Sequence, residues 1–293
     1  MAQHHQGVSF PISHAGEGLF PPSAGKKRLA ETSFRPREQQ AKGWDSLWQS
    51  GENDLWDRGR PSPALIELLE SRTNLLPAAL KGRRSRALVP VRAASRKGCG
   101  RGYDVVMLAL HGFEAIGLEV SAKGAETARE YAARELKSPQ AYNFQDQSAG
   151  PAANPGSVTI IEGDFFAREW QDALVRDGVE SFDLIYDYTF LCALLPEMRQ
   201  DWCRRIRNLI APTGSLVCLE FPMYKDLRAA GPPWGLRGVH WNLLAEGKDG
   251  IIHEAAEVKG LADGPFERIL YNKPARSYDA GRGEDMISVW RPR

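Results

Sequence analysis

Residues 98–121 read GCGRGYDVVMLALHGFEAIGLEVS and decide the fold of this chain. Gly98, Gly100 and Gly102 precede an apolar segment, and a second apolar segment ends at Glu119. Glycine lets the backbone take positive φ angles and approach a ligand closely. We therefore predict a glycine-rich turn between a strand and a helix, followed by a strand that ends in a carboxylate.

The carboxylate of Glu119 suggests a nucleotide ligand. A carboxylate at the end of the second strand can accept hydrogen bonds from both hydroxyls of a ribose. The alternative is a tight strand–helix turn with a solvent-exposed glutamate. Taken together, the glycines and Glu119 favour a nucleotide, but they do not separate an NAD-dependent oxidoreductase from a methyltransferase.

Strand and helix patterns alternate along the rest of the chain. The helix patterns begin at Pro63, Tyr103, Ser121 and Pro196, where Ser62 and Ser121 are candidate helix caps. The apolar runs that predict strands are 87–91, 115–120, 158–161, 182–186, 215–219, 266–271 and 286–290. Because no helix pattern separates the last two strands, we predict an α/β fold whose mostly parallel sheet has one antiparallel strand at an edge.

Composition narrows the possible partners and the compartment. The chain has 293 residues, 42% of them hydrophobic and 26% charged, with a formal net charge of +1. We therefore expect no nucleic-acid or membrane partner. The four cysteines form no C-x-x-C pair, so we expect reduced thiols and a cytoplasmic protein. We predict a disordered tail over 1–42, one domain over 43–293, no metal site and a monomer.

Two further loops follow predicted strands and carry polar and aromatic side chains. Asp164 and Phe165 follow the third strand, where an acid can bind an adenine amino group and a ring can cover the base. Asp187 and Tyr188 follow the fourth strand and are candidates for positioning a nucleophile. In the alternative interpretation, the phenylalanine belongs to the core and the tyrosine hydroxyl bonds to backbone.

A tryptophan-rich segment precedes the first predicted helix. Trp44 and Trp48 are four residues apart and share one face of a helix, and Trp56 follows them. Such rings either dock on the core or present an aromatic face to a cationic ligand, an interaction worth about 0.5–2 kcal/mol.

In this order, these motifs resemble the thiopurine methyltransferase-like family, and its thiol and halide methyltransferase branch in particular. The motifs are the tryptophans with WDRGRP at 56–61, the glycine loop with YDV at 103–105, GLEVS at 117–121, GDFF at 163–166, FDLIYDYTF at 182–190 and GEDMISVW at 283–290. The resemblance covers about residues 43–291. It implies a class I methyltransferase fold, a Rossmann-like three-layer sandwich with seven strands, that binds S-adenosylmethionine.

The resemblance also implies roles for individual residues. Trp44, Trp48 and Trp56 would cover the cofactor. Gly98, Gly100 and Gly102 would approach its amino-acid end, and Glu119 its ribose. Asp164 and Phe165 would hold the adenine, with Asp187 or Tyr188 beside the methyl group. We therefore expect Asp187 and Tyr188 as catalytic residues, with Asp187 also contacting the cofactor.

Two departures from the family pattern affect the expected substrate and activity. Thiopurine-methylating members have an arginine where this chain has Tyr188, which argues against an acidic aromatic thiol held by a guanidinium. We expect a small acceptor instead: a thiol, a halide-like anion or a secondary metabolite, with methylation at oxygen or nitrogen as the alternative. The insertion Arg92–Lys97 before the glycine loop leaves open a protein of this fold whose cofactor binding is impaired.

Overall fold

A seven-stranded sheet forms the centre of the structure. The structure is a computed structural model that describes residues 39, 58–71, 75–76, 83–91, 101–146, 148, 150–176, 178–252 and 263–293. Its strands are β1 (Arg86–Val91), β2 (Glu114–Glu119), β3 (Ser157–Glu162), β4 (Phe182–Tyr188), β5 (Ile210–Glu220), β6 (Phe266–Asn272) and β7 (Met286–Pro292). The strand order is β3-β2-β1-β4-β5-β7-β6.

Strands β1 to β5 pair in parallel, whereas β7 is antiparallel to both β5 and β6. The predicted mostly parallel sheet with one antiparallel strand is therefore confirmed. The antiparallel strand is β7, which lies second from the edge because β6 forms the edge itself.

Among the described residues, five α-helices accompany the sheet: α1 (Pro63–Ser71), α2 (Tyr103–Leu110), α3 (Ala122–Lys137), α4 (Glu169–Arg176) and α5 (Arg199–Leu209). Both predicted helix caps are present. Ser62 Oγ accepts the N–H of Leu65 at 3.3 Å, and Ser121 Oγ accepts that of Gly124 at 3.4 Å. Short 3₁₀ turns occupy Ala141–Asn143, Leu191–Ala193, Pro196–Met198 and Asp279–Gly281, and one π-helical turn spans Trp241–Ala245.

The central strands contain few polar residues because both of their faces are covered by the core. All seven residues of β4 are buried, as expected for a parallel strand covered on both faces. By contrast, β3 lies at one edge, and only Ile160 of its six residues is fully buried. Helix α2 is buried along its whole length, which accounts for its continuous apolar sequence.

The topology determines where a ligand site can form. The strand order reverses between β1 and β4, which are neighbours although they are far apart in sequence. Open α/β sheets bind ligands beyond the carboxyl ends of the strands at such a reversal. The loops that follow β2, β3 and β4 therefore lie at the carboxyl ends of the parallel strands. The sequence places part of the candidate site in these loops.

Three cysteines, Cys192, Cys203 and Cys218, are free and buried, in line with the expected reduced thiols. Within the described part of the chain, no helix is both long and apolar enough to span a bilayer.

Candidate active site

The first element of the site is the turn into α2. Gly102 has φ 75° and ψ 24°, a left-handed conformation that favours glycine, and its carbonyl accepts the N–H of Val106 at 2.9 Å. The predicted partners Gly98, Gly100, Trp44, Trp48 and Trp56 lie outside the described residues, as does the insertion Arg92–Lys97. Their assigned roles stay predictions.

Glu119 is the last residue of β2, and its side chain is 1% exposed. One carboxylate oxygen accepts the N–H of Ser121 at 2.8 Å, which fixes the side chain at the start of α3. The alternative of a solvent-exposed glutamate is therefore wrong. A buried acidic side chain at the carboxyl end of β2 matches the chemistry of ribose hydroxyls, which donate hydrogen bonds.

Asp164 and Phe165 lie in the loop after β3, but their side chains have different surroundings. Asp164 is exposed, and its carboxylate accepts the N–H of Phe166 at 3.0 Å. Phe165 is 4% exposed and makes edge contacts with Phe166 and Phe190, with ring centroids 5.2 Å and 4.9 Å apart. Phe165 is therefore buried between the loops after β3 and β4, and its role beside the adenine stays a prediction.

Asp187 is buried, and both of its carboxylate oxygens accept hydrogen bonds from the protein. Leu191 N–H donates to one oxygen at 3.2 Å, and Trp202 Nε1–H donates to the other at 2.9 Å. Burial raises the pKa of Asp187 to about 6, although these donors oppose the rise. Asp187 belongs to β4 itself and not to the loop after it, and these contacts join the end of β4 to that loop and to α5. Direct catalysis by its carboxylate stays a prediction.

Tyr188 ends β4 at the centre of a buried aromatic group. Its ring stacks on Tyr278 at 5.1 Å and contacts Phe221 at 5.8 Å, and all three side chains are 5% exposed. Its hydroxyl accepts Nε–H of Arg58 at 3.2 Å. We call Arg58, Tyr188, Phe221 and Tyr278 the aromatic corner.

The aromatic corner corrects one step of the sequence argument. A tyrosine at position 188 does not remove the guanidinium from this part of the site, because Arg58 supplies one from the segment before α1. Sequence analysis gave Arg58 no role, since nothing in its neighbourhood indicates that it meets a residue 130 positions later. Tyr188 therefore does not exclude an acceptor held by a guanidinium.

Backbone strain marks the residue that follows the aromatic corner. Thr189 has φ 63°, a left-handed conformation that is rare for a β-branched residue. Such outliers cost about 1–3 kcal/mol and cluster at functional sites. The strain supports a functional role for the loop after β4.

Asp104 is a second residue that sequence analysis did not assign to the site. It lies in the apolar helix α2, is fully buried, and accepts the backbone N–H of Ser62 at 2.7 Å. This contact joins the segment that carries Arg58 to the helix that follows the glycine loop. A single carboxylate in an apolar helix is the sequence signal that could have indicated this contact.

The buried carboxyl of Asp104 predicts a pH dependence of stability. Burial raises its pKa from 3.8 to about 7, against the opposing effect of the Ser62 N–H. Between these two values the folded state binds more protons than the unfolded state, so the free energy of unfolding falls as pH rises from 4 to 7. Urea denaturation at pH 5 and pH 8 measures this fall in the free energy of unfolding. We expect the fall to be about 3 kcal/mol smaller in Asp104→Asn than in the wild type.

The matched control for this prediction is Asp172→Asn, which changes an exposed aspartate in α4. Since this variant keeps Asp104, it should keep the fall in unfolding free energy that Asp104 causes between pH 5 and pH 8. Burial also raises the pKa of Glu220 to about 7, so the Asp104 variant should keep part of the dependence. Equal pH dependence in the wild type and Asp104→Asn would contradict the assignment.

The topology is that of a class I methyltransferase. The sequence profile of the thiopurine S-methyltransferase family matches residues 39–249, which is more than half of the chain. The chain therefore belongs to this family and is an S-adenosylmethionine-dependent methyltransferase. This membership decides against the oxidoreductase alternative.

Three curated relatives are similar to this chain. Probable thiol methyltransferase 2 of Arabidopsis thaliana is 35% identical over 198 residues, which cover 67% of this chain and 68% of the relative. Thiocyanate methyltransferase 1 of Brassica oleracea is 33% identical, covering 75% of each chain. Thiopurine S-methyltransferase of Shewanella amazonensis is 30% identical, covering 76% of this chain and 88% of the relative.

Proposed function

We propose that this enzyme transfers the methyl group of S-adenosylmethionine to the sulfur of a small thiol. The observation that carries the proposal is the aromatic corner. It lies at the carboxyl end of β4, beside the loops that would hold the cofactor, and combines a guanidinium with three rings. The names of the relatives, which refer to a thiol, thiocyanate and thiopurine, agree with a sulfur acceptor.

The residues of the site fit S-adenosylmethionine. Glu119 would accept hydrogen bonds from the ribose hydroxyls, since its buried carboxylate is fixed at the end of β2. Asp164 would accept from the adenine amino group, and the Phe165 ring would lie against the base. Gly98, Gly100 and Gly102 would approach the amino-acid end, and Trp44, Trp48 and Trp56 would cover the cofactor.

When bound, S-adenosylmethionine supplies an activated methyl group on a sulfonium. The acceptor sulfur forms a bond to the methyl carbon as the carbon–sulfonium bond breaks, and the bonding electrons remain on S-adenosylhomocysteine as a neutral thioether. A thiolate brings one negative charge that cancels the positive charge of the donor. A thiol that has already lost its proton to solvent requires no general base.

The chain's own contribution is alignment and exclusion of water. Holding two reactants in line can lower the barrier by about 7–11 kcal/mol. The buried rings of Tyr188, Phe221 and Tyr278 provide an apolar wall for the acceptor. Removing water strengthens the electrostatic interactions within such a site. The Tyr188 hydroxyl, fixed by Arg58, would orient the sulfur toward the methyl group.

A matched set of acceptors tests the sulfur assignment. We would incubate the enzyme with methyl-labelled S-adenosylmethionine and thiophenol, phenol or aniline, which share one ring and differ in the nucleophilic atom. Mass spectrometry should detect the S-methyl product, with O- and N-methyl products at least about a hundredfold lower. The Glu119→Ala variant serves as the control for background transfer. Faster methylation of phenol or aniline than of thiophenol would overturn the assignment.

A further inference from the structure

We propose that Arg58 binds the negative charge of the methyl acceptor, so that the enzyme selects an anionic thiol over a neutral thiol of the same shape. This inference rests on the proposed thiol methylation. Arginine carries a permanent charge and presents planar N–H donors that suit carboxylates and other anions. Its position in the aromatic corner makes it a specificity-determining residue.

The geometry places the guanidinium against the wall on which the acceptor would lie. The guanidinium carbon of Arg58 is 5.6 Å from the ring centroid of Phe221 and 5.9 Å from that of Tyr278. Its Nε–H donates to the Tyr188 hydroxyl at 3.2 Å. A cation in apolar surroundings attracts an anion more strongly than a cation in water does.

Asp285 is a charged group of this corner that interacts with Arg58. The charge of Arg58 lowers the pKa of Asp285, but burial raises it by more, so the net shift is upward. The carboxyl is also held by Ser277, whose hydroxyl donates to one of its oxygens. An acceptor anion would therefore share the guanidinium with Asp285.

Two hydrogen bonds hold the segment that carries Arg58, and both lie on the C-terminal side of that residue. The Tyr278 hydroxyl donates to the carbonyl of Arg60 at 3.0 Å, and the Ser62 N–H donates to Asp104 at 2.7 Å. Gly59, which directly follows Arg58, has φ 69°. These contacts position the segment that carries Arg58, as a residue that selects among acceptors requires.

A pair of acceptors that differ only in charge tests the proposal. Mercaptoacetate and mercaptoacetamide would be titrated by calorimetry into enzyme saturated with S-adenosylhomocysteine, which cannot transfer a methyl group. We expect the wild type to bind mercaptoacetate about tenfold to a hundredfold more tightly, the effect of one hydrogen bond to a charged group. Arg58→Met should remove this preference.

The matched control is Arg60→Met, which removes the same charge from an exposed side chain in the same segment. It should keep the preference. Hydrosulfide, titrated in parallel, shows which negative charge Arg58 recognises. If Arg58→Met no longer binds hydrosulfide, the recognised group is ionised sulfur, and if binding is unchanged, it is the carboxylate. Either result supports the role of Arg58, provided that the variant also loses the preference for mercaptoacetate.

Equal affinity of the wild type for mercaptoacetate and mercaptoacetamide would overturn the inference, as would an unchanged preference in Arg58→Met. Affinity for S-adenosylhomocysteine, measured first for each variant, verifies that the fold is intact. Failure of the proposed function has a different signature, because thiols would then bind without being methylated.

Discussion

Replacing Glu119 with alanine is expected to weaken the binding of S-adenosylmethionine by about a hundredfold or more, since each hydrogen bond to a charged group contributes about 1.5–3 kcal/mol and the ribose offers two. The carboxylate is 1% exposed at the end of β2 and is oriented by the Ser121 N–H. Glu119→Gln, which keeps the size and one acceptor oxygen, should fall between the wild type and alanine. Calorimetric titration with the cofactor measures all three affinities.

Glu162 provides a matched control for this prediction. It ends β3 in direct register with Glu119, but its side chain is exposed. Glu162→Ala removes the same carboxylate from the same end of the neighbouring strand and should leave the affinity within about twofold of the wild type. Similar affinities for Glu119→Ala and Glu162→Ala would contradict the ribose assignment.

Truncation of Trp202 is the second change with a large expected effect. Its side chain is 0% exposed, and its indole N–H donates to Asp187 at 2.9 Å. Trp202→Ala should lower the free energy of unfolding by about 3–5 kcal/mol, as large buried aromatic residues generally do. Trp202→Phe should cost about 1–3 kcal/mol, because the buried carboxylate loses a donor while the ring volume is largely kept. Urea denaturation measures both values.

Trp170→Phe separates the lost hydrogen bond from the changed ring. Trp170 is 4% exposed, and its indole nitrogen has no hydrogen-bond partner among the described residues. This substitution should therefore cost less than about 1.5 kcal/mol. Equal losses for Trp202→Phe and Trp170→Phe would show that the contact with Asp187 contributes nothing measurable.

The sequence predicted the sheet well because its strands are apolar and lie between turn residues. Each of the seven predicted strands is present, and β5 begins earlier than predicted, at Ile210, because the Pro212–Gly214 stretch belongs to the strand. Helix α4 was not predicted. Its eight residues bury only Trp170 and Leu174, so its apolar periodicity is too short to identify.

Local sequence likewise identified some residues of the candidate site and missed others. Glu119 and Tyr188 were identified because each lies at or just after the carboxyl end of a predicted strand, where the topology brings ligand-binding residues together. The contact of Arg58 with Tyr188 depends on the path that the chain takes before α1, which no local pattern encodes. The inward orientation of Asp187 was also unpredictable, since it depends on Trp202 in α5.

A crystal structure with S-adenosylhomocysteine and mercaptoacetate tests the central claim most directly. The account predicts the ribose hydroxyls on Glu119, the adenine beside Asp164 and Phe165, and the acceptor sulfur between the cofactor sulfur and the aromatic corner. A ribose bound away from Glu119, or a cofactor sulfur that faces away from Tyr188, would contradict it.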